Sequence, residues 1–251
     1  MIRLIPGDCL DVMGEIEPGS VHLILADLPY GTTACKWDVV IPFEPLWAHY
    51  RRLLAPRGAI VLTASQPFTS MLVTSNPDWF RYAMVWDKVN KYTGFLNVKA
   101  RPLRRHEDVL VFAAGSGTYN PQMIPVQPYR SRMSRPCKTK IYGEMKGFDY
   151  GREITEQNPC TVIDIPSHFT SRVDHPTQKP VALGEYLIKT YSNSGDTVLD
   201  NTMGSGSFGV AAVNCGRAFI GIEKDLGYFE VASRRIAEAR HAFPLFTEAA
   251  S

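Results

Sequence analysis

The segment from Thr197 to Lys224 constrains this chain more than any other. It reads Thr197-Val198-Leu199-Asp200, then the glycine-rich turn Asn201-Thr202-Met203-Gly204-Ser205-Gly206, then an apolar helix pattern from Phe208. A strand that opens through glycines into a helix brings backbone close to a ligand and offers it free N–H groups. Gly204, Gly206 and Gly209 fit G-x-G-x-x-G, and Glu223 ends the next strand, close to the distance at which a carboxylate grips ribose hydroxyls. Such a unit belongs in a helix-covered sheet, and the rest of the chain supplies one. Short apolar runs recur at Arg3–Ile5, Val21–Ala26, Ala59–Ala64, Tyr82–Trp86, Val109–Ala113, Thr197–Asp200 and Ala218–Ile222. Helical patterns lie at Phe43–Leu54, Val181–Tyr191, Phe208–Cys215 and Leu226–Arg240, the second preceded by Pro180, which suits a first helical turn. The expectation is an α/β fold with a mainly parallel sheet.

Composition narrows the partners. With 45% hydrophobic and 21% charged residues, the 251-residue chain has the balance of a soluble protein with a full core. Its apolar runs are too short to span a bilayer, and Met1–Pro6 lacks the long apolar region of a signal peptide, so a cytoplasmic protein without membrane contact is expected. The five cysteines are scattered, which argues against a disulfide framework and against a metal site. Charge is unevenly spread. Lys88–Arg152 holds 13 Lys and Arg against 4 Asp and Glu, although the whole chain carries only +2. That basic middle is the footprint of a surface facing phosphates.

Within it, residues 115–171 are rich in proline and lack sustained periodicity, so they read as a small subdomain or a functional insertion. The run from Tyr129 to Lys140 carries Arg130, Arg132, Arg135, Lys138 and Lys140 without an acid, with aromatics on either side. Basic side chains interleaved with aromatics can follow a phosphate backbone and stack on bases.

Two short motifs complete the pattern. Asp27-Leu28-Pro29-Tyr30 ends the apolar run Val21–Ala26, presenting a carboxylate, a stiffened backbone and an aromatic ring where a strand opens into a loop. That set suits holding a planar base that bears an exocyclic amine, although Asp-x-Pro-Tyr is also ordinary turn chemistry. His175-Pro176-Thr177-Gln178-Lys179-Pro180 leads into the helix ahead of the glycine turn.

Taken in order, these motifs resemble the β group of DNA amino-methyltransferases, the N6-adenine and N4-cytosine enzymes, over most of the chain. Asp27-Leu28-Pro29-Tyr30 is similar to their Asp-Pro-Pro-Tyr motif, with Leu28 replacing the first proline. Asn201 and Thr202 stand where the family usually has Pro and Phe. The resemblance implies a Rossmann-like, seven-stranded, mainly parallel sheet of circularly permuted order, with Arg3–Ile5 beside Ala218–Ile222. It implies a catalytic half at 1–114, an inserted target-recognition region at 115–171 and a cofactor half at 172–251. The cofactor implied is S-adenosylmethionine. Asp8, Cys9, Lys179, Asp200, Met203, Gly204, Ser205, Gly206, Glu223 and Lys224 would form its pocket. Asp8 would accept from the adenine amine and Glu223 would hold the ribose.

The implied reaction moves a methyl group to the exocyclic amine of a flipped-out DNA base, adenine N6 being favoured because an acid leads the quartet. Asp27 and the Leu28 carbonyl would accept from the amine, Pro29 would fix the approach and Tyr30 would stack on the base. N4-cytosine or RNA methylation, modification of a protein glutamine, a non-catalytic nucleic-acid-binding protein of this fold and a nicotinamide oxidoreductase stand as alternatives. DNA is the expected partner; a homodimer and a restriction endonuclease partner are left open.

Overall fold

The computed structural model describes residues 1–33, 35, 38–131, 137–141, 143–145, 151–167 and 178–242. They fall into two compact units. One takes in Met1–Asn120 and the described residues from Thr161 onward; the other is Pro121–Cys160.

In chain order the elements are β1 (Ile2–Pro6), α1 (Cys9–Val12), β2 (Val21–Ala26), α2 (Phe43–Leu53), β3 (Leu54–Ala64), α3 (Phe68–Ser75), β4 (Phe80–Asp87) and β5 (His106–Phe112). The second unit holds β6 (Ile124–Arg130), β7 (Cys137–Thr139), β8 (Gly143–Met145) and β9 (Glu153–Gln157). The first unit resumes with β10 (Val162–Asp164), α4 (Val181–Tyr191), β11 (Thr197–Asp200), α5 (Ser207–Asn214), β12 (Ala218–Glu223) and α6 (Leu226–Ala242).

The main sheet runs β1-β12-β11-β2-β3-β5-β4-β10. Every neighbouring pair is parallel except those made by β5, which is antiparallel to both β3 and β4. The first and last strands lie side by side, with Ile2 opposite Phe219 and Pro6 opposite Glu223, as the permuted order requires. Two details depart from expectation. The sheet has eight strands, because β10 adds an edge beside β4, pairing Ile163 with Trp86. Helix α2 stops at Leu53 and passes straight into β3, which begins five residues before the apolar run at Ala59. Helices α1 and α3, too short for a clear period in the sequence, were not anticipated either.

The strands are apolar because both faces are covered. Along β2, Ile24 and Ala26 join the cluster that holds Leu46, Trp47 and Tyr50 of α2, while Leu23 and Leu25 join the one that holds Leu183 and Leu187 of α4. Burying each such side chain stabilises the fold by about 1.5–3 kcal/mol. Helix α4 approaches α5 closely at Gly184, where a Cβ would lie 2.8 Å from that of Ala211. The second unit is built on two antiparallel pairs, β6 with β9 and β7 with β8.

This topology decides where side chains can meet. The carboxyl ends of the parallel strands share one edge of the sheet, and the antiparallel β5 contributes its amino end there. Asp8, Asp27, Lys88, Glu107, Asp200 and Glu223 all stand at that edge.

Candidate active site

Asp27 follows the last residue of β2, and three segments close around it. Its Oδ1 accepts from the Tyr30 hydroxyl at 2.7 Å and from Thr63 Oγ1 at 2.5 Å, while Oδ2 meets Lys179 Nζ at 2.5 Å. Lys179 is itself buried and also faces Glu107 Oε2 at 3.2 Å; Glu107 Oε1 takes Lys88 Nζ at 2.5 Å. The result is a chain of alternating charge, Asp27–Lys179–Glu107–Lys88, threaded through the edge of the sheet. Burial alone would raise the Glu107 carboxyl, but the two lysines outweigh it and hold the group well below the usual carboxylate range. Burial opposes the Lys179 cation as well, and Asp27 and Glu107 more than compensate, raising its pKa. Glu107 and Lys179 therefore remain charged at neutral pH.

The rest of the quartet is fixed around the carboxylate. Leu28 is buried in the core. The Tyr30 ring stacks on Phe68 with centroids 5.1 Å apart, and Lys179 Nζ lies 5.8 Å from the ring centre. One face of Tyr30 is thus already covered. Burial, and then the charges of Asp27 and Glu107, push its phenol far above the ordinary value, so it stays a donor. Just beyond, Asp38 accepts from the backbone N–H groups of Gly31, Thr32 and Thr33 at 2.8, 2.9 and 2.6 Å, pinning the loop that follows Tyr30.

The glycine turn sits at the same edge. Thr202 Oγ1 donates to the Asp27 carbonyl at 3.2 Å, tying the turn directly to the quartet. Gly204 donates its N–H to Glu223 Oε2 at 2.8 Å, and the other Glu223 oxygen accepts from the Asp225 N–H at 2.8 Å. Gly206 adopts φ +77°, and a Cβ there would lie 2.9 Å from that of Ala232, so only glycine fits under α6. Arg235 from α6 reaches back to the Ser205 carbonyl and, at 3.0 Å, to its hydroxyl. Met203 is buried against the sheet.

Burial pushes the Asp200 carboxyl well above the usual range, and the charges of Asp27 and Glu223 add to that; its Oδ1 accepts from the Thr202 N–H at 3.1 Å. Burial also raises Glu223. Asn201 accepts from the Tyr50 hydroxyl at 2.7 Å, yet its Nδ2 is buried without a partner among the described residues. At the end of β1, Asp8 caps α1 through the Leu10 N–H at 3.0 Å and pairs with Lys224 at 3.0 Å. Cys9 is buried beside it, which raises its thiol.

The geometry therefore brings together the residues expected to share a cleft, with one reassignment. Lys179, expected on the cofactor side, is bonded instead to the carboxylate of the quartet. Three participants were missed in the sequence: Thr63, Lys88 and Glu107. Glu107 carries the clearest retrospective signal, since Arg105-His106-Glu107 opens an antiparallel strand whose start lies at the ligand edge. That signal needs the strand's direction, which the residues alone do not declare. Of the basic run, Arg130 ends β6 and is exposed, as are Lys138 and Lys140; Lys138 faces Glu144 at 3.6 Å. Arg132 and Arg135, like His175-Pro176-Thr177, lie outside the described residues.

Comparison with known proteins agrees with this geometry. A family model described as DNA methylase, of the N6/N4 methyltransferase type, matches residues 21–234. The type II methyltransferase M.HpaI of Haemophilus parainfluenzae is 28% identical, over 98% of this chain and 77% of its own length. The DNA adenine methyltransferase YhdJ of Escherichia coli (strain K12) is 29% identical, over 95% of this chain and 83% of its own. Among solved structures, the M1.HpyAVI–SAM complex superposes with a TM-score of 0.62 at 25% identity, covering 94% of this chain and 99% of that one. The cytosine-N4-specific PvuII DNA methyltransferase shares the fold, with a TM-score of 0.66 at 15% identity, over 96% of this chain and 91% of that one. The family match spans both the quartet and the glycine turn, the two motifs that the fold joins at one edge, and the chain belongs to the N6/N4 family of DNA methylases.

Proposed function

We propose that this protein transfers a methyl group from S-adenosylmethionine to the N6 amine of adenine in DNA. The observation that carries the reading is the 3.2 Å bond from Thr202 to the Asp27 carbonyl, which sets the amine-holding carboxylate and the glycine turn in one cleft. Adenine is favoured over cytosine by the acid that leads the quartet and by the relative named as an adenine methyltransferase.

The residues fit the cofactor. The turn leaves backbone without a side chain at the half-buried Gly204, the carboxyls of Asp200 and Glu223 are desolvated, and Asn201 Nδ2 is buried nearby without a hydrogen-bond acceptor among the described residues. Glu223 suits ribose hydroxyls, Asp8 with Cys9 the adenine edge, and Asp200 with Met203, Gly204, Ser205 and Gly206 the amino-acid end. Lys224 sets the position of Asp8. When bound, S-adenosylmethionine supplies a methyl group activated on a sulfonium sulfur.

The chain's own part is to prepare the amine. An ionised carboxylate has about four acceptor sites, and three on Asp27 are filled by Tyr30, Thr63 and Lys179. The site remaining on Oδ2 can take one amine N–H while the Leu28 carbonyl takes the other, drawing the nitrogen away from the plane of the ring and freeing its lone pair. Lys179 balances the Asp27 charge in a poorly solvated setting, and Glu107 and Lys88 keep Lys179 in place. Positioning and fixed charge do the work. Pro29 limits the approach, and Tyr30, backed by Phe68, offers its remaining face to the base. The Pro121–Cys160 unit is assigned target recognition, with Arg130, Lys138 and Lys140 and the neighbouring Arg132 and Arg135 meeting phosphates.

The test is to incubate the purified protein with labelled S-adenosylmethionine and unmethylated DNA, digest to nucleosides and separate them. Label in N6-methyladenine supports the reading. Label in N4-methylcytosine transfers it to the other base, and label with RNA but not DNA overturns it.

A further inference from the structure

The loop from Lys88 to Arg105, between β4 and β5, plays no part in the site described above beyond its first residue, yet its construction is unusual. It starts and ends on the groups around Asp27. Lys88 is bonded to Glu107, and Arg104 reaches Ser65, two residues after the Thr63 that holds Asp27. A second clamp lies further out: Thr93 and Arg104 exchange backbone hydrogen bonds of 2.8 and 3.0 Å. Beyond it, Gly94 turns with φ +95° into a single helical turn at Phe95–Asn97. That tip carries the most exposed apolar side chains of the region, Leu96 at 101%, Phe95 at 65% and Val98 at 56%. Near its base Val89 holds φ +59°, a conformation a β-branched residue seldom adopts.

A clamped loop that presents bare leucine and phenylalanine to water calls for an occupant, and its charge says which. From Lys88 to Arg105 there are six basic residues and no acid, and Lys99 and Arg101 beside the tip are exposed. An apolar point in a basic collar suits stacked bases flanked by phosphates better than it suits a protein surface or lipid. We propose that this loop is a wedge for duplex DNA, and that Leu96 with Phe95 enters the gap left in the base stack when the target base swings into the Asp27 site. The inference rests on the methyl-transfer reading. It adds that the extruded state is held from the loop side as well as by Tyr30.

The wedge matters only while the target base has a partner to leave, and that gives the experiment. Once the methylated sequence has been mapped on DNA modified by the wild type, methylation by wild type and by a Phe95→Ser/Leu96→Ser variant is compared on two oligonucleotides bearing it, one with the target base normally paired and one with it opposite an abasic position. The variant is expected to lose about tenfold or more in kcat/KM on the paired duplex. On the unpaired substrate it should recover to within about threefold of wild type, as a stack already opened needs little filling. Cofactor affinity should be unchanged, and Leu96→Met should behave as wild type. Equal loss on both substrates, or no loss on either, overturns the wedge. So does a variant that sediments as a smaller species than wild type, since the tip would then be covered by a second copy of the chain. Wild-type protein inactive on both substrates would instead overturn the methyl-transfer reading, and the wedge with it.

Discussion

At Asp27 both carboxylate oxygens meet side chains, whereas Asp200 and Glu223, at the other end of the cleft, have hydrogen bonds from backbone N–H groups only among the described residues. The first end is assembled before any substrate arrives: two hydroxyls, a buried lysine and a second carboxylate already fix the geometry. The second is tied to the backbone alone, with desolvated acids and, at Asn201 Nδ2, a buried donor that lacks an acceptor among the described residues. Each design suits its task. A group that must orient a weak nucleophile gains from being held in advance, because no reorganisation is then needed during reaction. A pocket that must bind a polar ligand gains from donors and acceptors that pair only when the ligand is present.

The contrast can be broken most sharply at its preassembled end. Asp27→Ala removes the acceptor proposed for the amine, and methyl transfer should fall by about 10²–10³-fold or more, while calorimetry should show cofactor affinity nearly unchanged. If cofactor binding fell equally, the two ends would not be separable.

Glu107→Gln comes next. It leaves two buried lysines without their shared counter-charge, and breaking such a pair costs about 3–5 kcal/mol. A denaturant titration should show that loss at neutral pH, together with reduced transfer. The sign with pH follows from the lowered pKa of Glu107: its stabilisation is complete above the ordinary value of 4.5 and disappears as pH falls through the lower native one. The difference between wild type and variant should therefore narrow in acid.

At the Asp200 end the sign reverses. Asp200 has a raised pKa in the native chain, so above its ordinary value of 3.8 the unfolded chain gives up a proton that the native chain keeps. Its contribution is favourable in acid and declines as pH rises towards the native value. Asp200→Asn should melt above the wild type at neutral pH, with a gap that widens as pH rises past the ordinary value of 3.8 towards the raised native one, and should bind cofactor more weakly. Thermal melts across that range, with and without S-adenosylmethionine, check both statements. The smallest effect belongs to the link between the ends: Thr202→Val deletes one hydrogen bond and should cost about 1 kcal/mol, a several-fold drop in kcat with binding intact.

How much of this was legible in the sequence depended on separation along the chain. Strands such as Val21–Ala26 and Thr197–Asp200 announce themselves because burial on both faces forces unbroken apolar runs. The quartet and the glycine turn were readable because each is local. The network that joins them was not, since Lys179 meets Asp27 across 152 positions and Thr63 meets it across 36. Glu107 stayed hidden for a related reason: it matters only because β5 runs against its neighbours. Lys179 could be placed near the cleft, on its cofactor side, from its position ahead of α4, but its bond to Asp27 could not be read there. The edge strand β10 is three residues long, too short for any period to show.

The pairing of β1 with β12 has a consequence for how the protein is made. Asp8 leaves the ribosome more than two hundred residues ahead of Lys224 and the strand beside it. Contacts of such long range form late and slowly. The quartet and its partner Thr63 can gather once β3 is made, but the edge proposed to hold the methyl donor stays open until β12 has emerged. A nascent copy that ends before β12 would carry the Asp27 end of the proposed site without its Glu223 end, so methyl transfer would wait for that strand.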